Sequence, residues 1–191
     1  MAGQAVKLML NNGDQVDCLW LDRQNTAPLL ELAGRVDSRT LGRHRQDLTD
    51  RAALEHWLEG LGQGGLSVLA ALDSQAGGRT AGYIYLQKGQ KSSAHIGEVE
   101  AFIHPDYRDL GLGSALLRFM AEYAEGQGLM FLKVDLPAER RDLVTAYKRL
   151  GFQIKAILED YRVDRSGQPY DVIIMIKRLA VSGNRELLYS Y

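Results

Sequence analysis

The sequence FIHPDYRDLGLGS, residues 102–114, joins a predicted strand to a predicted helix and is the sharpest local feature of this chain. Residues 96–104 have a strand pattern, and apolar residues recur at helical spacing from Leu112 onward. Gly111 and Gly113 stand where that helix begins. The first turn of a helix has four unpaired N–H groups and a partial positive charge, and glycines there let a ligand approach the backbone. The segment therefore predicts a phosphate or pyrophosphate cradle, with a tight turn that binds no ligand as the alternative.

Two other nucleotide-binding motifs were compared with this segment. A dinucleotide-binding fingerprint needs a third Gly or Ala three positions after the second Gly, where this chain has Leu116. Asp135 ends the following strand, as a ribose-binding acid would, but the segment comes late in the chain and leads into antiparallel strands. A P-loop needs Gly-Lys followed by Ser or Thr, which this chain lacks. We predict neither of these nucleotide-binding folds.

The rest of the chain predicts a mixed α/β sandwich around one sheet. An N-terminal hairpin with an Asn-Gly turn is followed by a helix, polar helical pieces and a two-strand meander. After the helix from Leu112 come a strand, a helix with the stripe Leu143, Tyr147 and Leu150, and two final strands. We predict a single domain over residues 1–180 and a C-terminal tail over residues 181–191.

Composition and charge exclude several classes of partner. Of the 191 residues, 46% are hydrophobic and 25% are charged, and the formal net charge is -1. A near-neutral chain argues against duplex nucleic acid or an anionic membrane as the main partner. No apolar run approaches the roughly 20 residues that span a bilayer, and the N-terminus does not resemble a signal peptide. We expect a cytoplasmic protein with no nucleic-acid or membrane partner.

Residues that commonly bind metals are few. Cys18 is the only cysteine, so an intrachain disulfide and a cysteine metal cluster are excluded, and we predict a buried apolar side chain. The histidines at 44, 56, 95 and 104 show no metal-ligand spacing. We predict no metal.

Two separated motifs together resemble the GNAT acetyltransferase superfamily. Arg108-x-x-Gly111-x-Gly113 is similar to its motif A, and YKRLGF, residues 147–152, is similar to its second signature. The resemblance covers roughly residues 67–177, and EVEAFI, residues 98–103, is similar to the branch that includes phosphinothricin-type acetyltransferases. It implies an α/β (α+β) GNAT fold, with a central mixed, mostly antiparallel sheet flanked by helices and here an extra N-terminal β-hairpin.

The resemblance implies acetyl-CoA as co-substrate. Its pyrophosphate would lie on the N–H groups of residues 109–114, its pantetheine would pair with the strand backbone at residues 101–103, and an N–H near Ile103 would polarise the thioester carbonyl. The cofactor-binding residues predicted on this basis are Ala101, Phe102, Ile103, Arg108, Asp109, Leu110, Gly111, Leu112, Gly113 and Ser114.

Direct acyl transfer to an amine needs a base and an acid. An alkylammonium has a pKa near 10 and must lose a proton before it attacks. Glu98 and Glu100 share one face of the predicted strand, and Glu98 stands where the phosphinothricin branch has its base, so we favour Glu98 over Glu100 and Asp135. Tyr147 stands at the family's general-acid position. Solvated strand carboxylates and a core tyrosine are the alternatives.

Two positions depart from the family, and three arginines suggest an acceptor site. Many members have an Asn seven residues before the tyrosine, where this chain has Arg140, and a Gly where this chain has Asp109. Asp109 is unfavourable beside a pyrophosphate unless it points away or pairs with Arg108. Arg35, Arg39 and Arg43 recur every four residues and form either a solvated basic face or a site for an acidic acceptor.

We predict an N-acetyltransferase that moves acetyl from acetyl-CoA directly to a primary amine, with Glu98 as base and Tyr147 as acid. The alternatives are a non-catalytic acyl-CoA-binding sensor or partner-binding module, and a transferase of another acyl group. The acceptor is a small-molecule amine or a protein N-terminus or lysine. The tail from Val181 to Tyr191 is rich in apolar residues near its end. It either folds back on its own domain or docks on a second copy as a homodimer.

Overall fold

The computed structural model describes residues 5–11, 13–37, 41, 44–62 and 65–180. Among these residues, eight strands form one sheet and four helices accompany it. The strands are β1 (Ala5–Met9), β2 (Gln15–Trp20), β3 (Leu66–Asp73), β4 (Arg79–Lys88), β5 (Ile96–Ile103), β6 (Phe131–Pro137), β7 (Gln153–Val163) and β8 (Pro169–Arg178). The helices are α1 (Ala27–Ala33), α2 (Arg51–Leu58), α3 (Leu112–Gly126) and α4 (Arg141–Arg149).

The sheet is mixed and mostly antiparallel, as predicted. The strand order is β1-β2-β3-β4-β5-β6-β8-β7, and β5 and β6 form its parallel pair. The predicted N-terminal hairpin is β1 and β2, which extends the sheet through an antiparallel pairing with β3. The predicted tail and the residues Arg39 and Arg43 lie outside the described residues, so the homodimer and the division into a single domain and a tail stay predictions.

A gap opens in the middle of this sheet between β5 and β6. The two strands pair only through Ile96–Phe131, Gly97–Leu132 and Glu98–Lys133. Beyond that point β5 stays paired with β4 up to Ile103, and β6 stays paired with β8 up to Pro137. The two neighbours therefore separate, and each keeps one free edge that faces the gap.

Buried apolar residues form a separate core on each face of the sheet. Helices α3 and α4 cover one face, where Leu116, Met120 and Tyr147 are buried. Helices α1 and α2 cover the other face, where the buried residues include Leu29 and Phe102. Because side chains alternate along a strand, Val99, Ala101 and Ile103 of β5 point toward α3, and Glu98, Glu100 and Phe102 point toward α1.

The ends of the helices follow local sequence signals. Asp50 caps α2 by accepting a hydrogen bond from the Ala53 N–H at 3.0 Å. Thr26 stands at the N-cap of α1, as predicted, but its side chain makes no capping bond. Gly151 follows α4 with φ of +88°, the left-handed conformation that favours glycine after a helix. This end of α4 fixes the direction in which the chain leaves the helix next to Tyr147.

The single thiol lies inside the core. Cys18 is fully buried on β2, which confirms the prediction of an apolar role. Burial, followed by the nearby Asp17 charge, raises the pKa of its thiol to about 12, so the thiol stays protonated near neutral pH. Separately, none of the helices in the described part of the chain is long and apolar enough to cross a membrane.

Candidate active site

The glycine turn before α3 needs two left-handed residues. Gly111, at the N-cap of α3, has φ of +84°, and Asp109 has φ of +62°. Glycine adopts such angles freely, and aspartate is one of the few other residues that tolerate them, so an aspartate is compatible with this position. The Asp109 side chain is exposed, and Arg108 Nε donates instead to the Ile103 carbonyl at 3.3 Å.

This turn presents a row of unused backbone donors. None of the N–H groups of residues 109–114 donates to a described residue, and the first helical bond runs from the Ala115 N–H to the Gly111 carbonyl at 3.0 Å. No side chain caps the helix start. With the positive end of the 15-residue helix α3 behind them, these donors fit a diphosphate. The structure is therefore compatible with the pyrophosphate cradle predicted from the sequence.

Gly111 is needed for the backbone conformation of the turn, whereas Gly113 leaves space for a ligand. Alanine variants of the two glycines distinguish these roles. A Cβ on Gly113 would lie 3.5 Å from the Ile103 side chain, an ordinary contact, and the residue is helical. We expect Gly113→Ala to keep or raise the melting temperature, since alanine is up to about 1 kcal/mol better in a helix, and to weaken CoA binding at least about tenfold. Calorimetric titration with CoA measures this; unchanged affinity would contradict the cradle.

Gly111→Ala is the comparison variant. Its Cβ would meet the Asn11 side chain at 2.5 Å in a left-handed conformation, which costs about 1–2 kcal/mol for a residue other than glycine. The N–H of Asn11 also donates to the Leu110 carbonyl at 3.0 Å, so the hairpin turn lies against this loop. We expect a lower melting temperature for this variant, in contrast to Gly113→Ala.

The free edge of β5 supplies further backbone groups. The His104 N–H donates to the Ala81 carbonyl of the neighbouring strand at 2.9 Å. Because hydrogen-bonded pairs alternate along an antiparallel ladder, the backbone groups of Val99, Ala101 and Ile103 face the gap. The Glu98–Lys133 pairing uses the Val99 N–H, and Arg108 Nε donates to the Ile103 C=O at 3.3 Å. The Val99 C=O, both groups of Ala101 and the Ile103 N–H remain. These are the groups that a ligand with amide bonds can pair with, as an added strand would.

One cavity of about 800 Å³ connects the glycine turn with the opposite face of the sheet. On the α3 side it is lined by the turn, by Leu117 and by α4 residues that include Leu143 and Tyr147. On the α1 side it is lined by His44, Glu100 and the turn between β7 and β8, residues 164–166. The gap between β5 and β6 joins the two ends. The cavity therefore has lining residues on both faces of the sheet.

Glu100 lines the cavity and is held by two hydrogen bonds, with His44 nearby. Its Oε2 accepts from the Tyr85 hydroxyl at 3.1 Å, and its Oε1 accepts from the Arg45 N–H at 3.1 Å and lies 3.7 Å from His44 Nε2. Burial, followed by the Glu100 charge, raises the Tyr85 pKa, so the hydroxyl keeps its proton and remains a donor. The carboxylate is thus fixed in one orientation.

Glu98, the base favoured by the sequence, has a different environment. It forms an ion pair with the Arg45 guanidinium and is absent from the cavity lining among the described residues. Asp135, the other alternative, lines the cavity but is paired with Lys133 at 3.1 Å and Arg162 at 2.6 Å. This arrangement favours Glu100 as the carboxylate that a ligand in the cavity can reach. The assignment of Glu98 as the base stays a prediction.

Tyr147 faces the cavity from α4. Its ring packs edge-on against Phe152, with centroids 5.1 Å apart, and the side chain is buried. Burial, followed by the Glu100 charge, raises the pKa of the hydroxyl above its ordinary value. A phenol with a raised pKa stays protonated and acts as a donor. Tyr147 and Glu100 therefore line the same cavity, and the Glu100 charge helps to keep the Tyr147 hydroxyl protonated.

The arginines suggested by the sequence have structural partners. Arg35 pairs with Glu31 at 2.6 Å and donates to the Thr80 carbonyl, and it is absent from the cavity lining among the described residues. Arg140, at the position where many family members have Asn, lines the cavity and makes two bonds to Asp142, at 3.0 and 2.7 Å. Arg35 therefore does not contribute to a binding site for an acidic acceptor in this cavity.

Sequence reasoning missed His44 as a site residue. It considered histidines only as metal ligands, whereas His44 lines the cavity beside Glu100 and has a buried side chain. No periodic pattern marks the irregular segment that follows residue 44, so the sequence carried no signal for this position. Among the described residues, no group of three His, Cys, Asp or Glu side chains is placed to hold a metal ion.

The comparison with known families identifies the class of protein. Residues 32–152 match the Acetyltransferase (GNAT) family, so the chain belongs to that family. This confirms the resemblance seen in the two sequence motifs and the fold that the resemblance implied.

Individual relatives match shorter regions. An uncharacterized N-acetyltransferase of Methanocaldococcus jannaschii is 34% identical over 62 residues, which are 32% of this chain and 27% of that protein. The [ribosomal protein bS18]-alanine N-acetyltransferase of Escherichia coli is 33% identical over 73 residues, or 38% of this chain and 49% of that protein. The matches thus span less than half of these curated relatives.

A solved structure matches over almost the whole described fold. The phosphinothricin acetyltransferase of Sinorhizobium meliloti, solved in complex with acetyl-CoA, covers 91% of this chain and 96% of its own with a TM-score of 0.66. The sequence identity is 17%, so this likeness concerns the fold.

Proposed function

We propose that this chain is an N-acetyltransferase that transfers acetyl from acetyl-CoA directly to a primary amine. The observation that carries the proposal is a cavity that is lined by the glycine turn on one face of the sheet and by an oriented carboxylate on the other. The N–H groups of the turn donate to no described residue. Membership of the family supports the same chemistry. Cytoplasmic location stays a prediction from the sequence.

The cofactor end fits CoA by its chemistry. The N–H groups of residues 109–114 would bind the pyrophosphate, and the backbone edge of Ala101 and Ile103 would pair with the amide groups of pantetheine. Acetyl-CoA, when bound, supplies the acetyl group as an activated thioester. The Ile103 N–H faces the gap and would donate to the thioester oxygen as charge develops there.

The acceptor end would remove a proton from the ammonium. Glu100 faces the cavity, and its carboxylate is oriented by Tyr85 and by the Arg45 N–H. A carboxylate there attracts a cationic amine and accepts its proton, directly or through water. Tyr147, whose hydroxyl keeps its proton, would donate to the sulfur of the departing thiolate. These two groups distinguish the proposal from an acyl-CoA sensor, which needs neither.

Cofactor binding is tested by thermal unfolding. We expect millimolar acetyl-CoA or CoA to raise the melting temperature, because a ligand that binds only the folded state stabilises it by mass action, by about 2.7 kcal/mol at 100 times its Kd. NAD, which also carries a pyrophosphate, is the control and should leave the melting temperature unchanged. A shift with NAD and none with CoA would overturn the proposal.

Turnover is tested by following free CoA with a thiol reagent across a panel of primary amines. The protein adds little background to this assay, because its one thiol, Cys18, is buried and protonated. Binding of CoA without thiol release from any amine would favour the sensor. Release with other acyl-CoA donors but not with acetyl-CoA would favour a transferase of another acyl group.

A further inference from the structure

His44 presents an unused hydrogen-bond donor at the acceptor end of the cavity. Its side chain is 7% exposed, and its Nε2 atom is buried with no hydrogen-bond partner among the described residues. Its Nδ1 accepts from the Gln46 N–H at 3.3 Å, which places the proton of the neutral ring on Nε2. A buried donor without a partner destabilises the fold unless a ligand satisfies it.

Two aromatic rings pack against the His44 ring. The His44 ring meets Phe102 edge-on at 5.4 Å between centroids and lies 5.8 Å from the Tyr83 ring. Its Nε2 lies 3.7 Å from Glu100 Oε1, too far for a hydrogen bond. One rigid donor and one rigid acceptor therefore stand side by side on the same cavity wall.

We infer that His44 is a specificity-determining residue that binds the carbonyl oxygen next to the reacting amine, so that the acceptor is an amino-acid amide or a peptide N-terminus. This rests on the proposed function and names the acceptor class of the same site. In such an acceptor, the amine nitrogen and the carbonyl oxygen are three covalent bonds apart, each of about 1.2–1.5 Å. That spacing allows the ammonium to lie on Glu100 while the oxygen accepts from His44 Nε2.

The negative charge of Glu100 favours a neutral carbonyl oxygen over a carboxylate at His44. A carboxylate on His44 would stand beside the negative charge of Glu100, which is unfavourable, whereas a neutral carbonyl oxygen is not repelled. A simple alkylamine offers no acceptor at all and leaves the His44 donor unpaired. Sites built to hydrogen-bond a substrate group discriminate strongly against analogues that lack it.

The test compares two amines that differ in this oxygen, alaninamide and 2-aminopropane. We expect His44→Phe, which keeps an aromatic ring but removes the donor, to lower the ratio of kcat/KM for alaninamide to that for 2-aminopropane by about tenfold or more. The two amines have different pKa values, but this difference affects the kcat/KM ratio equally in the wild type and in the variant. It therefore cancels when the two ratios are compared. His44→Gln, which can place an N–H near the Nε2 position, should restore part of the ratio.

Controls separate this role from others. His56→Phe changes a histidine that is 88% exposed and absent from the cavity lining among the described residues, so its ratio should equal that of the wild type. Equal losses for both amines in His44→Phe would mean that His44 acts on Glu100 or on the fold, and would overturn the inference. The same holds if His44→Phe does not fold and His44→Gln keeps the fold but loses both activities equally.

The outcome for the wild type distinguishes this inference from the proposed function. Stabilisation by CoA together with acetylation of 2-aminopropane but not alaninamide, or of neither, would overturn the acceptor class and leave the cofactor site intact. Absence of CoA binding would overturn the proposed function itself.

Discussion

Glu100→Gln is expected to lower kcat/KM for amine acetylation by about 10²-fold or more at neutral pH, the range in which a general base contributes. Glutamine keeps the size of the side chain, and its one amide oxygen can still accept from the Arg45 backbone N–H. Its NH2 group then lies beside the Tyr85 hydroxyl, whose oxygen can accept from it. Unlike the carboxylate, the amide cannot take a proton. The loss should shrink as the pH rises through the pKa of the amine, near 10, because free amine then forms without a base.

Glu98→Gln is the matched comparison. Glu98 is two residues away on the same face of β5, but it is paired with Arg45 and absent from the cavity lining among the described residues. Steady-state rates from pH 6 to 10 for both variants decide the assignment. A large, pH-dependent loss in Glu98→Gln with little loss in Glu100→Gln would establish the base that the sequence predicted and contradict the geometric preference for Glu100.

Tyr147→Phe should lower kcat by roughly 10²-fold while CoA still raises the melting temperature. The phenylalanine ring keeps the edge-on contact with Phe152, so the substitution removes the proton donor and little else. Tyr123→Phe is the control: its hydroxyl lies 3.4 Å from Ser67 Oγ, away from the cavity. Equal turnover in wild type and Tyr147→Phe, measured with a saturating amine, would show that the thiolate leaves without help from this phenol.

The parts of this site that the sequence could predict are those governed by local rules. The glycine turn and Tyr147 lie within or beside helices whose apolar spacing is regular, and both line the cavity. Alternation also placed Glu98 and Glu100 on one face of β5. The last pair between β5 and β6 is Glu98–Lys133. Whether Glu98 or Glu100 faces the cavity depends on this separation point, and no local sequence pattern encodes it.

His44 was unpredictable for a different reason. Its contact with Glu100 joins residues 56 positions apart through a segment without helical or strand period, and the contact arises only when Phe102 and Tyr83 pack against the ring. Asp109 is an intermediate case. The sequence shows an aspartate where many family members have a glycine. The structure shows that Asp109 has a positive φ, a conformation that aspartate tolerates.

The gap between β5 and β6 gives this protein two strand edges in the interior of a sheet rather than at its border. Exposed edges are hazardous because any other polypeptide can pair with them and begin to aggregate. Here each edge is flanked by strands that remain paired, β4 on one side and β8 on the other, so a foreign strand has no lateral approach. A slender molecule with amide groups can still thread between them. The two edges are therefore open to a chain end that enters along the gap and closed to a strand that approaches from the side of the sheet.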